Sequence, residues 1–169
     1  NRDIEKFKEY ITQIRPLGFD AVLIADLGLF DIMREIAPEI PIHVSTQANN
    51  TNYATANMWH KLGAERVVLG REMSFAEIAE FKENIPPTLE LEAFVHGAMC
   101  ISYSGRCLLS SYMTGRDANR GDCAQPCRWS YNLMEETREG QLFNITETEK
   151  GTYILNANDL CMAEHLKKL

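Results

Sequence analysis

The chain has 169 residues, of which 45% are hydrophobic and 24% are charged, the composition of a globular domain with its own core. A net charge of −7 excludes a uniformly basic surface for wrapping nucleic acid, although a local basic groove stays open. No run of about 18 apolar residues occurs, so we expect no membrane span. The first residues resemble no signal peptide, so five cysteines predict reduced thiols in the cytoplasm. A chain without a starting Met is typical of a fragment.

Helices and short apolar strands alternate through the first part of the chain. Predicted helices cover residues 3–17, 28–36, 52–62 and 74–84, and predicted strands cover residues 21–26, 42–45, 66–69 and 89–96. Gly18 and Gly63 end two of the helices, and Ser74 with Glu77 forms a capping box at the start of another. The unit repeats about every 20–25 residues, which is typical of a (β/α)8 barrel or a doubly wound sheet.

No glycine-rich phosphate loop follows any of these strands, which disfavours the dinucleotide-binding sheet. We therefore predict an α/β fold with about four βα units of a TIM-type barrel, in residues 1–109. Residues 110–169 are predicted to add a cysteine- and arginine-rich loop, an antiparallel ribbon and the start of a further helix. The loop covers residues 110–127, the ribbon strands 129–134, 142–146 and 152–155, and the helix 160–169, with Asn158 and Asp159 as its cap. Four strands leave unpaired sheet edges, so we expect this chain to form homo-oligomers.

Polar side chains stand in or directly after the predicted parallel strands, where active sites of such folds form. They are Asp26, His43, Thr46, Gln47, Arg71, Glu72 and His96. Arg71 is the strongest candidate, because a strand-end arginine suits a carboxylate or a phosphate. Asp26 is equally typical of a helix cap, His43 of a core histidine, and Glu72 of an ion-pair partner for Arg71.

The cysteines follow the pattern Cys100-x6-Cys107-x15-Cys123-x3-Cys127, and Cys161 comes after 33 more residues. The paired CxxC knuckles of structural zinc sites are absent from this pattern. Wider spacing with flanking glycines favours an iron–sulfur cluster, which takes four thiolates and leaves one cysteine spare. The alternatives are inert buried thiols, or a catalytic thiol paired in space with His43 or His96.

One long segment resembles the signature of the peptidase U32 family, the collagenase-like proteases: Glu92-Ala-Phe-Val-His-Gly-Ala-Met-Cys100-Ile-Ser-Tyr-Ser-Gly-Arg-Cys107-Leu-Leu-Ser110. The resemblance extends to residues 43–47, 68–72, 115–123 and 158–161 and covers roughly residues 20–165. In that family this stretch is the middle of a larger chain. The residues include neither HExxH nor Gly-x-Ser-x-Gly, so they give the hydrolase named by the family little support.

The better understood members of the family are similar to enzymes of oxygen-independent hydroxylation, which act on a tRNA wobble uridine, a ribosomal RNA cytidine or a ubiquinone precursor. The resemblance links the RNA reactions to prephenate, and implies a prephenate-derived co-substrate. It also implies a [4Fe–4S] cluster on Cys100, Cys107, Cys123 and Cys161, with Cys127 as the alternate ligand. A chain of this length need not hold the cluster by itself.

Arginines and aromatic residues surround these cysteines in the sequence. Arg106, Arg116, Arg120 and Arg128, with Tyr112 and Trp129 among them, suit phosphate contacts and base stacking. The sequence therefore favours an RNA-hydroxylating iron–sulfur enzyme. A peptidase with a peptide substrate and a non-catalytic zinc module are the alternatives.

Overall fold

The computed structural model describes residues 2–97, 100, 102, 106–129, 131–134, 137, 139–140, 142–144, 147–148, 151–152 and 160–168. The chain separates into two compact units, Asn1–Phe94 and Val95–Lys168. None of the helices in this described part is long and apolar enough to cross a membrane.

Unit 1 alternates helices and parallel strands. Its elements are α1 (Arg2–Ile14), β1 (Val22–Ile24), α2 (Leu27–Ile36), β2 (Ile42–Val44), α3 (Tyr53–Leu62), β3 (Arg66–Val68), α4 (Phe75–Glu83) and β4 (Glu90–Glu92). The strands form one parallel sheet in the order β1-β2-β3-β4. The predicted α/β class, the four helices and the parallel sheet are confirmed, whereas closure into a barrel stays a prediction.

Two of these helices begin or end at the residues that the sequence predicts. Ser74 caps α4, and its side chain and that of Glu77 complete the capping box. Gly63 ends α3 in the left-handed region at φ 104°, a conformation that costs other residues energy. The predicted strand 89–96 is too long, because β4 ends at Glu92.

The core of unit 1 lies between the helices and one face of the sheet. Ile24, Val44 and Val67 are paired neighbours on that face and are buried with Phe30 and Met33 of α2. The opposite face carries a second row of paired neighbours: Leu23, His43, Arg66 and Glu90. Leu23 is 62% exposed there. Parallel sheets usually have both faces covered, so this one-sided packing is the distinctive feature of unit 1.

Unit 2 consists of short elements. They are β5 (His96–Gly97), α5 (Leu109–Thr114), β6 (Asn132–Met134), β7 (Leu142–Asn144), β8 (Glu147–Thr148), β9 (Gly151–Thr152) and β10 (Leu160–Cys161), with 3-10 turns at Ala118–Arg120, Pro126–Arg128 and Ala163–Lys168. Antiparallel pairing joins β6 to β7, β8 to β9, and β5 to β10.

The predicted antiparallel ribbon is present in β6 and β7. The predicted loop 110–127 is wrong in part, because α5 and two 3-10 turns occupy much of it. The predicted helix from residue 160 is also wrong at its start, where Leu160 and Cys161 form a strand. The proposed cap at residues 158–159 lies outside the described residues.

Candidate functional site

Asp26 follows β1 and is used by the scaffold. Its Oδ1 accepts the backbone N–H of Leu29 at 2.9 Å, which caps α2. Of the two interpretations of this residue, the cap is therefore realised in the structure. Asp26 also lies at the carboxyl ends of the parallel strands, which is where folds of this kind bind their ligands.

The loop after β2 ties two strand ends together. Thr46 is only 9% exposed, and its hydroxyl donates to the carbonyl of Leu69 at 3.0 Å. Asn50 is fully buried, and its Nδ2 donates to the carbonyls of Ser45 and Val68, both at 2.9 Å. These bonds fix the ends of β2 and β3 in place, while the neighbouring Gln47 is exposed.

Arg71 and Glu72 follow β3 and face different neighbours. The Arg71 guanidinium lies 4.2 Å from the centroid of the Phe94 ring. A Cβ atom at Gly70 would lie 2.8 Å from Oε2 of Glu72, so the Glu72 carboxylate folds back over that glycine. No ion pair between Arg71 and Glu72 occurs in this described segment, so the expected pairing is not formed.

His43 stands on the sheet face that the helices leave free, and it is half-buried. Its neighbour in the paired row is Arg66, which binds Glu90 at 2.6 Å and Glu92 at 3.1 Å. Hydrogen bonds to Glu90 and then Glu92 raise the pKa of Arg66. The ion-pair cluster beside His43 is a polar feature that strand-end reasoning misses.

Four cysteines line one cavity in unit 2. Cys100, Cys107, Cys123 and Cys127 surround a space of about 110 Å³, together with apolar residues that include Leu109 and Pro126. All five cysteines of the chain have free thiols. Among the residues that the structure describes, no group of three or more His, Cys, Asp or Glu could hold a metal ion. The shared pocket is thus an arrangement of thiols around a space, and not a preformed single-ion site.

Short local contacts position the pocket sulfurs. The backbone N–H of Leu109, at the start of α5, donates to Cys107 Sγ at 3.4 Å. The N–H of Gln125 donates to Cys123 Sγ at 3.3 Å. Gln125 adopts a positive φ of 54°, which is uncommon for a residue with a side chain and concentrates at functional turns. Both bonds are of the kind that tunes metal-bound thiolates.

Burial distinguishes Cys127 from the other thiols. Burial raises the pKa of Cys127, and the electrostatic influence of the neighbouring Cys100 and Cys123 raises it further. The cavity that these thiols share places them near one another. A metal that binds Cys127 must therefore displace a proton that the free pocket retains.

Ser110 holds the two halves of the pocket together. It is fully buried on α5, and its Oγ accepts the backbone N–H of Ala124, next to Cys123, at 3.0 Å. Sequence reasoning missed Ser110, Asn50 and Phe94. Phe94 lies inside the predicted strand 89–96, and its position after a strand end emerges only from the observed end of β4 at Glu92.

The predicted arginines differ in their surroundings. Arg116 binds Asp122 at 2.7 Å, and Arg120 lies 3.5 Å from Asp117. A hydrogen bond to Asp122, and then its negative charge, raise the pKa of Arg116. Arg106 is exposed and Arg128 is half-buried. Two of the four predicted phosphate contacts are thus already neutralised by carboxylates.

Aromatic surface is available in the same unit. Tyr112 is 87% exposed and Trp129 is 42% exposed. The rings of Trp129 and Tyr131 are stacked, with centroids 6.4 Å apart and an interplanar angle of 17°. Exposed aromatic rings of this kind offer stacking surfaces to nucleic acid bases.

His96 and Cys161 are cross-strand neighbours. The sequence did not predict this pairing, because it placed Cys161 in a helix. The antiparallel register of β5 and β10 places them directly opposite each other, and both are exposed. The predicted ligand Cys161 thus lies beside His96, while Cys127 lines the pocket with the three other predicted ligands.

Comparisons with known proteins give consistent relatives. The chain is 37% identical to tRNA hydroxylation protein P of Escherichia coli (strain K12), over 97% of this chain and 45% of the relative. It is 42% identical to an uncharacterized protease of Methanocaldococcus jannaschii, over 99% of this chain and 40% of the relative. It is 35% identical to a 23S rRNA 5-hydroxycytidine synthase of Escherichia coli (strain K12), over 79% of this chain and 20% of the relative.

The chain therefore spans less than half the length of these curated relatives. No solved structure matches it. The family profile described as Peptidase family U32 matches residues 1–169, from one end of the chain to the other. The predicted resemblance is confirmed, and the chain belongs to peptidase family U32.

Proposed function

We propose that this chain is part of an enzyme that hydroxylates a pyrimidine base of tRNA or ribosomal RNA. The observation that carries the proposal is the pocket lined by Cys100, Cys107, Cys123 and Cys127. The names of relatives that are 35% to 37% identical, a tRNA hydroxylation protein and an rRNA hydroxycytidine synthase, support it. A tRNA wobble uridine and an rRNA cytidine are the two candidate targets, and the cytoplasm is the compartment that they imply.

A [4Fe–4S] cluster is part of this proposal, and the donor chemistry of the pocket supports it. Iron–sulfur clusters take four cysteine thiolates, and four thiols line the cavity together with apolar side chains. Backbone N–H groups already donate to Cys107 and Cys123, as hydrogen bonds do to cluster sulfurs. Cys127 is the fourth ligand that this geometry favours, and Cys161 is the alternative. A bound cluster would supply one-electron redox chemistry at this place.

The remaining residues of unit 2 suit an RNA substrate. Trp129 and Tyr112 expose rings for stacking, and Arg106 is exposed for a phosphate contact. A single base would stack on a ring while the backbone phosphate binds an arginine, which is how unpaired RNA is usually recognised. A prephenate-derived co-substrate belongs to the same proposal through the family.

The free face of the parallel sheet supports part of a barrel as the fold of unit 1. Leu23 is exposed on that face, and the row that it shares with His43 and Arg66 resembles one interior layer of a barrel. Further βα units, or a second copy of the chain, would cover it. Light scattering should accordingly show a non-monomeric state, and a clean monomer would contradict the homo-oligomer.

Anaerobic reconstitution of the full-length protein with iron and sulfide tests the cluster. We expect a brown protein that absorbs near 400 nm and contains about four irons per chain. Cys127→Ser should abolish this loading, whereas Cys161→Ser, the matched control, should retain it. Loading that Cys161→Ser abolishes and Cys127→Ser retains would show that Cys161 is the ligand. A colourless protein without iron would refute the cluster.

Nucleoside mass spectrometry tests the substrate class. A strain that lacks the gene should lose one hydroxylated pyrimidine from its total RNA, and the full-length gene should restore it. Restoration by a Cys161→Ser gene but not by a Cys127→Ser gene would connect the modification to the pocket. An unchanged nucleoside profile would refute RNA hydroxylation.

A peptidase is the second candidate, and one observation favours it. Cys161 lies directly opposite His96 in the β5–β10 pair, an arrangement in which an imidazole can take the proton of a nucleophilic thiol. A relative 42% identical to this chain is named as an uncharacterized protease. Purified protein should then cleave gelatin, and Cys161→Ala and His96→Ala should each abolish cleavage. Cleavage that survives both substitutions would indicate a contaminant.

A further inference from the structure

Arg71 is held by an aromatic ring at the carboxyl edge of the sheet. Its guanidinium carbon lies 4.2 Å from the centroid of the Phe94 ring, well within the distance of a cation–π contact. Arg71 follows β3, and Phe94 comes two residues after the end of the adjacent strand β4. The contact therefore joins two neighbouring strand ends at the edge where parallel folds bind their ligands.

The hydrogen-bond donors of Arg71 are not used by the described part of the chain. No described residue accepts a hydrogen bond from it or forms an ion pair with it. The guanidinium carbon stands over the Phe94 ring, and this contact uses none of the hydrogen bonds that the guanidinium can donate to an oxygen acceptor. A guanidinium in this position is a fork of parallel donors that matches two oxygens of one anion.

The carboxylate of the adjacent Glu72 lies beside Gly70. Gly70 donates its N–H to the carbonyl of Asn50 at 2.9 Å, and the Glu72 carboxylate occupies the space beside it. A Cβ atom at Gly70 would lie 2.8 Å from both Glu72 Oε2 and Thr51 Cγ2. Glycine at this position therefore leaves room for the Glu72 carboxylate, which forms no ion pair with Arg71 among the described residues.

We propose that Arg71 is an oxyanion-binding residue and that Phe94 is its positioning residue. The ligand is a carboxylate or a phosphate, which share the pair of oxygens that the guanidinium fork recognises. This site goes beyond the proposed function, because it lies in unit 1 and needs neither the cysteine pocket nor hydroxylation. It identifies where an anionic group of a substrate or co-substrate binds.

Direct binding of small anions tests the site. Isothermal titration calorimetry of the chain with inorganic phosphate and with malonate, at constant ionic strength, gives an affinity for each anion. Arg71→Gln should weaken the better anion at least about tenfold. Phe94→Leu should weaken it about two- to fivefold, the effect of losing an exposed cation–π contact, and Phe94→Tyr should restore it. Arg34→Gln, which removes the same charge from an exposed position on α2, should have no effect.

Each result bears on the proposal. Tighter binding of phosphate than of malonate identifies a phosphoryl or phosphodiester group as the ligand. Tighter binding of malonate identifies a small carboxylic acid. Equal affinity of wild type and Arg71→Gln for both anions would overturn the site. Equal affinity of Phe94→Leu and Phe94→Tyr would overturn the positioning role, provided that circular dichroism shows both variants folded. Failure of RNA hydroxylation would leave these binding results unchanged.

Discussion

Ser110→Ala probes the contact that joins the two sides of the cysteine pocket. The hydroxyl of this fully buried residue accepts the N–H of Ala124 at 3.0 Å, so the substitution leaves that N–H without its acceptor. An unsatisfied buried donor costs about 1–3 kcal/mol, and half-buried Ala124 should lie in the lower half of that range. Alanine regains about 0.5 kcal/mol through its helix propensity in α5. We therefore expect a net loss of about 1 kcal/mol.

Urea denaturation measures this loss, and Ser111→Ala is the matched control. Ser111 is exposed on the same helix, so its substitution gains helix propensity without losing a buried hydrogen bond. Alkylation gives a second measurement. Cys127 should react faster in Ser110→Ala than in wild type, while Cys161, outside the pocket lining, should react at an unchanged rate. Equal stability of the two serine variants, with unchanged alkylation of Cys127, would refute the role of Ser110.

Asn50→Ala should lower the free energy of unfolding by about 1–3 kcal/mol, because a part-buried carbonyl after β2 and a buried carbonyl at the end of β3 lose their donor. Equal stability of this variant and wild type in urea would contradict this. Ser74→Ala should cost about 1 kcal/mol at neutral pH. Hydrogen bonds from the Ser74 backbone N–H, and then from its hydroxyl, lower the pKa of Glu77 from its usual range. The hydroxyl's share, which Ser74→Ala removes, is therefore present at neutral pH and lost as the pH falls through the lowered pKa. Denaturation between pH 7 and about pH 3 should show the penalty shrinking. Since burial raises the pKa of Cys127, iodoacetamide at about pH 8 should modify Cys127 more slowly in the folded chain than in urea, and equal rates would contradict the burial.

Local chemistry explains why most of unit 1 was predictable. Ser74 and Glu77 mark the start of α4, and Gly63 marks the end of α3. Each of these signals acts within one helical turn, so it can be recognised in the local sequence. The fourth strand was overextended for the opposite reason. Residues 89–96 look uniformly like a strand, but His96 leaves the parallel sheet to pair with Cys161, a partner far along the chain. Pairing between residues so far apart in the chain leaves no pattern in the sequence around either of them.

The helix α5 was missed because its sequence, Leu-Ser-Ser-Tyr-Met-Thr, has few strong helix formers. Tertiary contacts compensate: Ser110 is buried against the turn at Ala124, and Thr114 donates to the carbonyl of Ser110 at 2.7 Å. The first residue of the same helix, Leu109, donates its N–H to Cys107 Sγ. A segment of low propensity is thus fixed by the contacts that form the pocket.

Sequence spacing alone could not choose between Cys127 and Cys161 as the fourth pocket thiol. The choice depends on a turn in which Gln125 takes a left-handed conformation and the buried Pro126 directs the chain back toward Cys123. Cys161 is instead held by strand pairing with His96. Backbone geometry over five residues therefore separates a thiol that shares a cavity from one that faces an imidazole. The two proposed chemistries, a cluster and a nucleophile, can then be tested by single substitutions that do not overlap.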